Sequence, residues 1–355
     1  MPEDSICYTV EQYDYKVTIG IPVYNVEKFI VKCLESVYAQ SLDGIEILLV
    51  DDKGADGSMR LALKCIAEHS DDKVVRIVEH DENMGLAEVR NTIIREARGK
   101  YVFFLDSDDY LPSNSIELMY NIAEETGAET VWGSSLQVNI ETGEEKVFWA
   151  YPDIKLFGED QLVCYEYEFM KTRLLTSIWN ILFITDFFRR HQLKFEMRRF
   201  EDTIMHYDMQ PLINKAVLIS NFTYCYVIRS GSLLNYQKRD EIDIQEAITT
   251  IAVSSRIKKA CQRVSGKPYF PLMCVRIMKW SFFMACGLLK HQNQMTEELS
   301  NKSIMELMKY PASLGTILKM RKWRVLNFAF YFLDALPNAL SIRIVKVLGK
   351  LKGVI

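Results

Sequence analysis

An α/β fold with a mostly parallel sheet, helices on both faces and a helical appendage is the architecture this sequence predicts. Two observations carry that expectation. Apolar runs of strand length alternate with stretches of helical periodicity through residue 105, and from about residue 236 onward the strand signals give way to helical spacing. A third observation points to function: polar groups, carboxylates above all, collect where the strands end.

The elements follow in order. KVTIGIPV (16–23) reads as a buried first strand, and Val26, Phe29, Ile30, Cys33, Leu34 and Val37 recur behind it at helical spacing. IEILLV (45–50) is the second strand, followed by a helix through Leu61, Ala62, Cys65 and Ile66. VVRIVEH (74–80) is the third strand. Leu86, Val89, Ile93 and Ala97 mark one face of the next helix, with Gly99 placed to cap its end. YVFFL (101–105) is the fourth strand. Strands that are apolar throughout suit a parallel sheet covered on both faces. The stretch from about 130 to 235 is mixed, with TVWGSSLQV, SIWNILFITDFFRRHQLKF and RRFEDTIMHYDM in turn.

A chain of 355 residues with 49 % apolar and 25 % charged residues builds a sizeable core, and its length suits two domains or one large one with an appendage. The expected division is 1–235 and 236–355. A net charge of -4 gives no sign of a nucleic-acid partner. The eight cysteines form no C-x-x-C pair. Buried free thiols in a reducing cytosol fit better than a zinc site or a disulfide framework. MPEDSICYTVEQYDY lacks the basic and apolar regions of a signal peptide, so a cytoplasmic protein is expected.

In open parallel sheets, ligands bind outside the carboxyl ends of the strands. Pro22, Tyr24 and Asn25 lie at the end of strand one, Asp51, Asp52 and Asp56 after strand two, and Asp106, Asp108 and Asp109 after strand four. Core packing predicts no such clustering. At a strand end, Asp106-Ser107-Asp108 can aim two carboxylates at one ion, and hard oxygen ligands suit magnesium or manganese rather than zinc. Two carboxylates leave a coordination shell for waters and substrate phosphates to complete. A calcium loop starting at Asp106 fails because its sixth position is Leu111 where glycine is required. A solvated turn before Pro112 is the plain alternative.

VDDKGADGS (50–58) offers acids that can accept hydrogen bonds from a nucleobase N–H or ribose hydroxyls. In ENMGLAEVRN (82–91), Gly85 permits close backbone approach at a helix start, and Arg90 can contact phosphate or brace the acidic turns. In FEDTIMHYDM (200–209), Glu201 and Asp202 open a helical pattern. Asp202 is a candidate general base, and His206, one turn on, a candidate third metal ligand. The dinucleotide fingerprint G-x-G-x-x-G is missing after strand one.

In order and spacing these motifs resemble an inverting family 2 glycosyltransferase of the GT-A type, of the kind that builds bacterial surface polysaccharides. IPVYN (21–25) is similar to the family's opening strand and turn, VDDKGADGS to its VDDGSxDxS motif and NMGLAEVRN to its NxGLSxARN motif. YVFFLDSDD is similar to its D-x-D strand, WN (179–180) and FED (200–202) to its acceptor-side motifs, and YCYVIRSGS (224–232) to its closing segment. The resemblance covers residues 16–232. It implies a nucleotide-diphosphate sugar donor, most often UDP-linked, a saccharide or lipid-linked saccharide acceptor, and Mn2+ or Mg2+ as cofactor. It further implies that Pro22 and Tyr24 line the base pocket and that Asp52 contacts uracil or ribose. Asp108 would bind the metal, Asp106 would face ribose and metal, and Asp202 would be the base. Asn25, Asp56, Gly85 and Arg90 complete the expected donor site. Lys53 and Gly54 depart from the motif's Gly and Ser, and Ala87 and Val89 from Ser and Ala. The departure at Lys53 leaves a non-catalytic, transferase-like scaffold as an alternative. A sugar nucleotidyltransferase is disfavoured, since IPVYNVEKF has no glycine to make the phosphate loop that those enzymes resemble one another in.

The last residues differ in character. From 319 to 355 there are eight Lys/Arg and one acid, Asp334, so this segment carries +7 and the rest of the chain -11. Leu340, Ile344, Val347, Leu348 and Leu351 share one helical face, and Arg343, Lys346 and Lys350 another. That pattern suits a helix lying on an anionic membrane surface, on the cytoplasmic side, and the alternative is a hairpin packed on the body. The run 325–342 is about long enough to span a bilayer. Asn327, Asp334, Pro337 and Asn338 interrupt it.

Overall fold

The computed structural model describes residues 13–69, 73–169, 174–228, 243–295, 297 and 299–354. Strands β1 (Tyr15–Val23), β2 (Ile45–Asp51), β3 (Val74–Glu79) and β4 (Gly99–Phe104) alternate with helices α1 (Ile30–Tyr38), α2 (Ser58–Glu68) and α3 (Leu86–Glu96). Helix α4 (Ser115–Thr126) leads to β5 (Thr130–Asn139), β6 (Glu145–Trp149) and β7 (Ile154–Phe157). After α5 (Gln161–Cys164) come β8 (Ile181–Ile184), α6 (Asp186–Arg190), α7 (Glu201–Met209) and β9 (Lys215–Ile228). The remainder is helical: α8 (Ile244–Arg263), α9 (Phe270–Lys290), α10 (Asn301–Met305), α11 (Leu314–Lys319), α12 (Arg324–Ala335) and α13 (Asn338–Leu351).

Contacts divide the chain into two units. The first is 1–155, 178–194 and 215–227; the second is 156–177, 195–214 and 228–355. The expected boundary at 235 lies outside the described residues, as do Cys7, most of the N-terminal stretch and Arg229–Ser232 of the closing segment. Two segments counted with the first domain in the sequence, 156–177 and 195–214, group instead with the helices.

The first unit carries the sheet, in the order β3-β2-β1-β4-β8-β5-β9-β7 with β6 paired to β5. The expected parallel half is β3-β2-β1-β4. The expectation of a mostly parallel sheet needs correction, because β8 runs antiparallel to β4, and β5 antiparallel to β8 and β6. The sheet is mixed. Apolarity alone does not give strand direction; a parallel neighbour needs a crossover. β1, β2 and β4 are almost wholly buried, whereas β3 is an edge strand with exposed residues at Val74 and Ile77. Helix α3 ends at Glu96 and the backbone is already extended at Ala97, so Gly99 is the first residue of β4 and not a cap.

The amino end of the sheet is closed by a satisfied ion pair. Buried Glu46 accepts from Thr18 Oγ1 at 2.5 Å, Arg76 at 2.7 Å and the Arg98 N–H at 3.0 Å. Arg76 also donates to the Glu96 carbonyl at 2.8 Å. With every partner supplied by protein, that end is structural.

In the second unit, α8 and α9 form the centre of an apolar core that includes Ile257, Cys261, Met273, Cys274, Ile277 and Met278. Helix α9 is long and apolar enough to cross a membrane by length and composition, yet half of that stretch is buried inside the unit, as in a core helix. Buried Glu166 ties it to α7: Arg276 donates to its side chain and its carbonyl, both at 3.0 Å, and His206 Nε2 lies 3.6 Å away. Burial pushes the Glu166 carboxyl up, but His206, Gln210 and Arg276 outweigh it and hold the group below its ordinary value.

Candidate functional site

β1 lies between β2 and β4, with Val23 opposite Asp51 and Gly20 opposite Phe104. The carboxyl ends of these three parallel strands therefore open together at the point where strand order reverses, where such sheets bind ligands. At the end of β1, Pro22 is partly buried and Tyr24 and Asn25 are exposed. Asn25 has a φ of 53°, and its Oδ1 accepts from the Ala55 N–H at 2.9 Å, joining the ends of β1 and β2. A side chain at position 54 would sit 2.7 Å from the Asn25 nitrogen, so only glycine allows this approach.

The loop after β2 is braced from within. Asp52 is only 2 % exposed. Its Oδ1 accepts from the Met84 N–H at 2.9 Å and pairs with His80 Nδ1 at 2.7 Å. Its Oδ2 accepts from Asn83 at 3.0 Å and from the Gly85 N–H at 2.9 Å. Asp52, expected to contact uracil or ribose, is held here by protein donors. Both oxygens already have protein donors, and the residue fixes the 80–85 loop against β2. Gly85, with a φ of 88°, starts α3 there, in a conformation that a side chain would strain. Asn83 serves Asp52 and does not cap the helix.

Asp56 is likewise committed. It accepts from the Glu27 N–H at 2.9 Å, the Ser58 N–H at 3.0 Å and the Ser58 hydroxyl. Burial raises its pKa, but these hydrogen bonds outweigh that and leave it below the ordinary carboxylate value. It builds the turn that starts α2 and is itself exposed. Lys53, at the family's glycine position, has a φ of 58°, the left-handed conformation the glycine would supply. Its ammonium pairs with Glu79 at 2.7 Å and Asp51 at 3.5 Å. The motif's turn therefore survives its substitution.

After β4 the carboxylates separate by burial. Asp109 is 2 % exposed and accepts from Tyr224 Oη and the Val227 N–H, both at 2.7 Å. Burial and then the neighbouring Asp108 and Asp106 push its pKa well above the ordinary value. Tyr224 Oη also accepts from the Asp106 N–H at 3.3 Å, and its ring stacks on Trp179 at 4.4 Å. Asp106 and Asp108 are left partly exposed. The positive group beside them is Arg90, whose side chain is 3 % exposed and donates to Asp106 Oδ1 at 3.3 Å. Of the two roles open to Arg90 in the sequence, the structure shows the bracing one.

Trp179 and Asn180 are buried inside the first unit. Asn180, with a φ of 61°, donates to the Gly133 carbonyl at 2.7 Å and the Ser134 carbonyl at 3.0 Å, and accepts from Thr223 at 2.6 Å. In the second unit, Asp202 stands partly exposed in the first turn of α7, and its Oδ1 accepts from the Thr203 N–H at 2.6 Å. Glu201 beside it is buried. His206 is buried against Glu166, which gives it a structural pairing in place of the third-ligand role considered above.

No group of three or more His, Cys, Asp or Glu side chains is placed to hold a metal ion among the described residues. Two partly exposed carboxylates at a strand end nevertheless fit a hard divalent cation that completes its shell with water and diphosphate. Sequence reasoning missed His80, which pairs with Asp52 and Thr92, and Tyr224, which links Asp106 to Asp109. Neither stands in a spacing that announces it.

Residues 18–191 match the model of glycosyl transferase family 2. The chain is 32 % identical over 232 residues to glycosyltransferase GlyA of Streptococcus pneumoniae serotype 4, covering 62 % of this chain and 32 % of GlyA. It is 28 % identical over 254 residues to glycosyltransferase GlyG of the same organism, covering 69 % of this chain and 80 % of GlyG. The match thus spans about a third of GlyA and most of GlyG. Residues 1–349 of S. aureus TarS, in complex with UDP-GlcNAc, superpose with a TM-score of 0.69 at 15 % identity, covering 95 % of this chain and 92 % of that one. That likeness carries the fold, GT-A-like with a mixed sheet and a helical C-terminal region. Over residues 18–191 the chain thus matches the glycosyl transferase family 2 model, and it is similar in sequence to glycosyltransferases of that kind.

Proposed function

We propose that the protein is a family 2 glycosyltransferase that moves a sugar from a UDP-linked donor to a saccharide or lipid-linked saccharide acceptor, with inversion and with a divalent metal. The observation that carries the reading is the division of labour among the strand-end acids. Asp52 and Asp109 are buried on protein donors, while Asp106 and Asp108 remain partly exposed beside a buried guanidinium. A site emptied of competing carboxylates in this way suits a diphosphate and its cation. The UDP-GlcNAc held by TarS, which shares the fold, supports a UDP-linked donor.

Asp106 and Asp108 would hold Mn2+ or Mg2+, and such an ion, when bound, neutralises charge on a departing diphosphate. Tyr24 and Pro22 at the end of β1 offer the base an aromatic and apolar wall, and Asn25 and Gly85 shape the loops beside it. Arg90 holds the Asp106 carboxylate in place through its contact at 3.3 Å. Asp202 is the proposed general base. It takes the acceptor hydroxyl proton as that oxygen forms a bond to the anomeric carbon, while the bond from that carbon to the diphosphate oxygen breaks. One in-line displacement inverts the centre and releases the nucleoside diphosphate, so no protein nucleophile is required.

The test is a hydrolysis and transfer screen over nucleotide sugars, with Mn2+, with Mg2+ and after chelation. Metal-dependent turnover of one or more UDP-sugars is expected. Turnover of none, with any donor or metal, would leave a scaffold as the better description.

A further inference from the structure

We propose that the outward faces of α12 and α13 form a docking surface for an anionic lipid bilayer. The inference rests on the second unit alone and holds whatever sugar is transferred.

Both helices use one face for the core and leave the other face apolar. On α12, Val325, Phe328, Ala329 and Phe332 recur at one-turn spacing and are all exposed, Val325 at 82 % and Phe332 at 55 %. The opposite side holds buried Asn327, which accepts from Tyr310 Oη at 2.6 Å and donates to the Pro271 carbonyl at 3.0 Å. On α13, Ile342 and Val345 are buried and Ser341 donates to the Leu333 carbonyl at 2.8 Å. Leu340, Val347 and Leu351 lie outside, beside Arg343, Lys346 and Lys350. The two options read from the sequence, a packed hairpin and a membrane-facing helix, thus occupy opposite sides of the same helices. A hairpin that merely closed the core would carry a polar outer face.

Charge selects the occupant. Residues 319–355 carry eight Lys/Arg and one acid, Asp334. That acid accepts from the Tyr310 N–H at 3.0 Å. Among the described residues no ion pair joins Lys319, Arg321, Arg324, Arg343, Lys346, Lys350 or Lys352 to a carboxylate. A cavity of about 600 Å3 is lined by Lys267, Thr316, Lys319, Arg321 and Lys322 among others; Lys267 is paired with Glu159 and Asp160, which leaves Lys319 and Arg321 to meet a lipid phosphate. A symmetric dimer through this face would set like charges against each other. A bilayer with anionic headgroups takes the apolar stripes and the flanking cations at one depth.

The full chain is tested by co-sedimentation with vesicles of phosphatidylcholine alone and of phosphatidylcholine with phosphatidylglycerol. Binding to the anionic vesicles only, weakened by salt, is expected. Replacing Lys346→Gln with Lys350→Gln should weaken it about thirtyfold. Phe328→Asp with Phe332→Asp should abolish it while the thermal unfolding curve stays in place, since all four side chains are exposed or at the exposed face. Absence of binding to anionic vesicles at low salt, or equal binding to neutral ones, overturns the proposal. So does self-association in sedimentation velocity that Phe328→Asp with Phe332→Asp removes, with no vesicle binding.

Discussion

Asp108 and Asp109 are adjacent, carry the same functional group and do opposite things. Asp109 holds Tyr224 and the Val227 backbone, and Asp108 is left partly exposed. Asp109→Ala would leave a buried hydroxyl and a buried N–H without their acceptor, at a cost of roughly 1–3 kcal/mol for each. A fall in the unfolding midpoint is therefore expected for Asp109→Ala. Asp108→Ala should lower the midpoint less than Asp109→Ala does and remove metal-dependent turnover. Calorimetry on the two variants checks this, and equal midpoints would contradict the division. The sequence showed the acids and their clustering but not this partition. Whether a carboxylate faces solvent or a hydrogen-bond donor depends on residues more than a hundred positions away, here Tyr224 and Val227. Asp52 illustrates the same gap, since its four partners lie about thirty residues on and only folding brings them to it.

At the scale of elements, the parallel half of the sheet was legible because each buried strand is followed by an amphipathic helix, a pattern with one topology. The antiparallel half was not. β8 has four residues, and what sets its place between β4 and β5 is contact with both, not local periodicity. Among the helices, α8 carries a buried lysine. Lys258 donates to the Leu307 carbonyl at 2.6 Å, and burial pushes its pKa down from 10.5 to about 7, against the pull of Asp334 and Glu306. The folded value lies below the unfolded one. Between about pH 7 and 10, then, the unfolded chain binds the extra proton, and stability rises with pH. Below about pH 7 the penalty is present in full. The difference in unfolding free energy between the native chain and Lys258→Met should slope upward across that window, by at most about 1.4 kcal/mol per pH unit. Denaturant titrations at several pH values measure it, and a flat difference would show that Lys258 keeps its charge when folded.

At the scale of the molecule, the proposed base Asp202 lies in the second unit. The family match ends at residue 191, short of Asp202. Asp202→Asn should lower kcat by about 100- to 10,000-fold and leave UDP affinity intact, as expected of a base that acts only on the acceptor. Rapid-quench kinetics beside a binding titration separate the two effects, and full activity in Asp202→Asn would remove it as the base.

The central claim is that Asp106 and Asp108 present a cation to the donor's diphosphate. Isothermal titration of UDP into the protein, with Mn2+ and after chelation, tests it most directly, with Asp108→Ala alongside. UDP should bind at least tenfold more tightly with Mn2+, and Asp108→Ala should lose that difference while remaining folded by its unfolding curve. Equal UDP affinity with and without the metal, or a metal effect that survives in Asp108→Ala, would contradict the account.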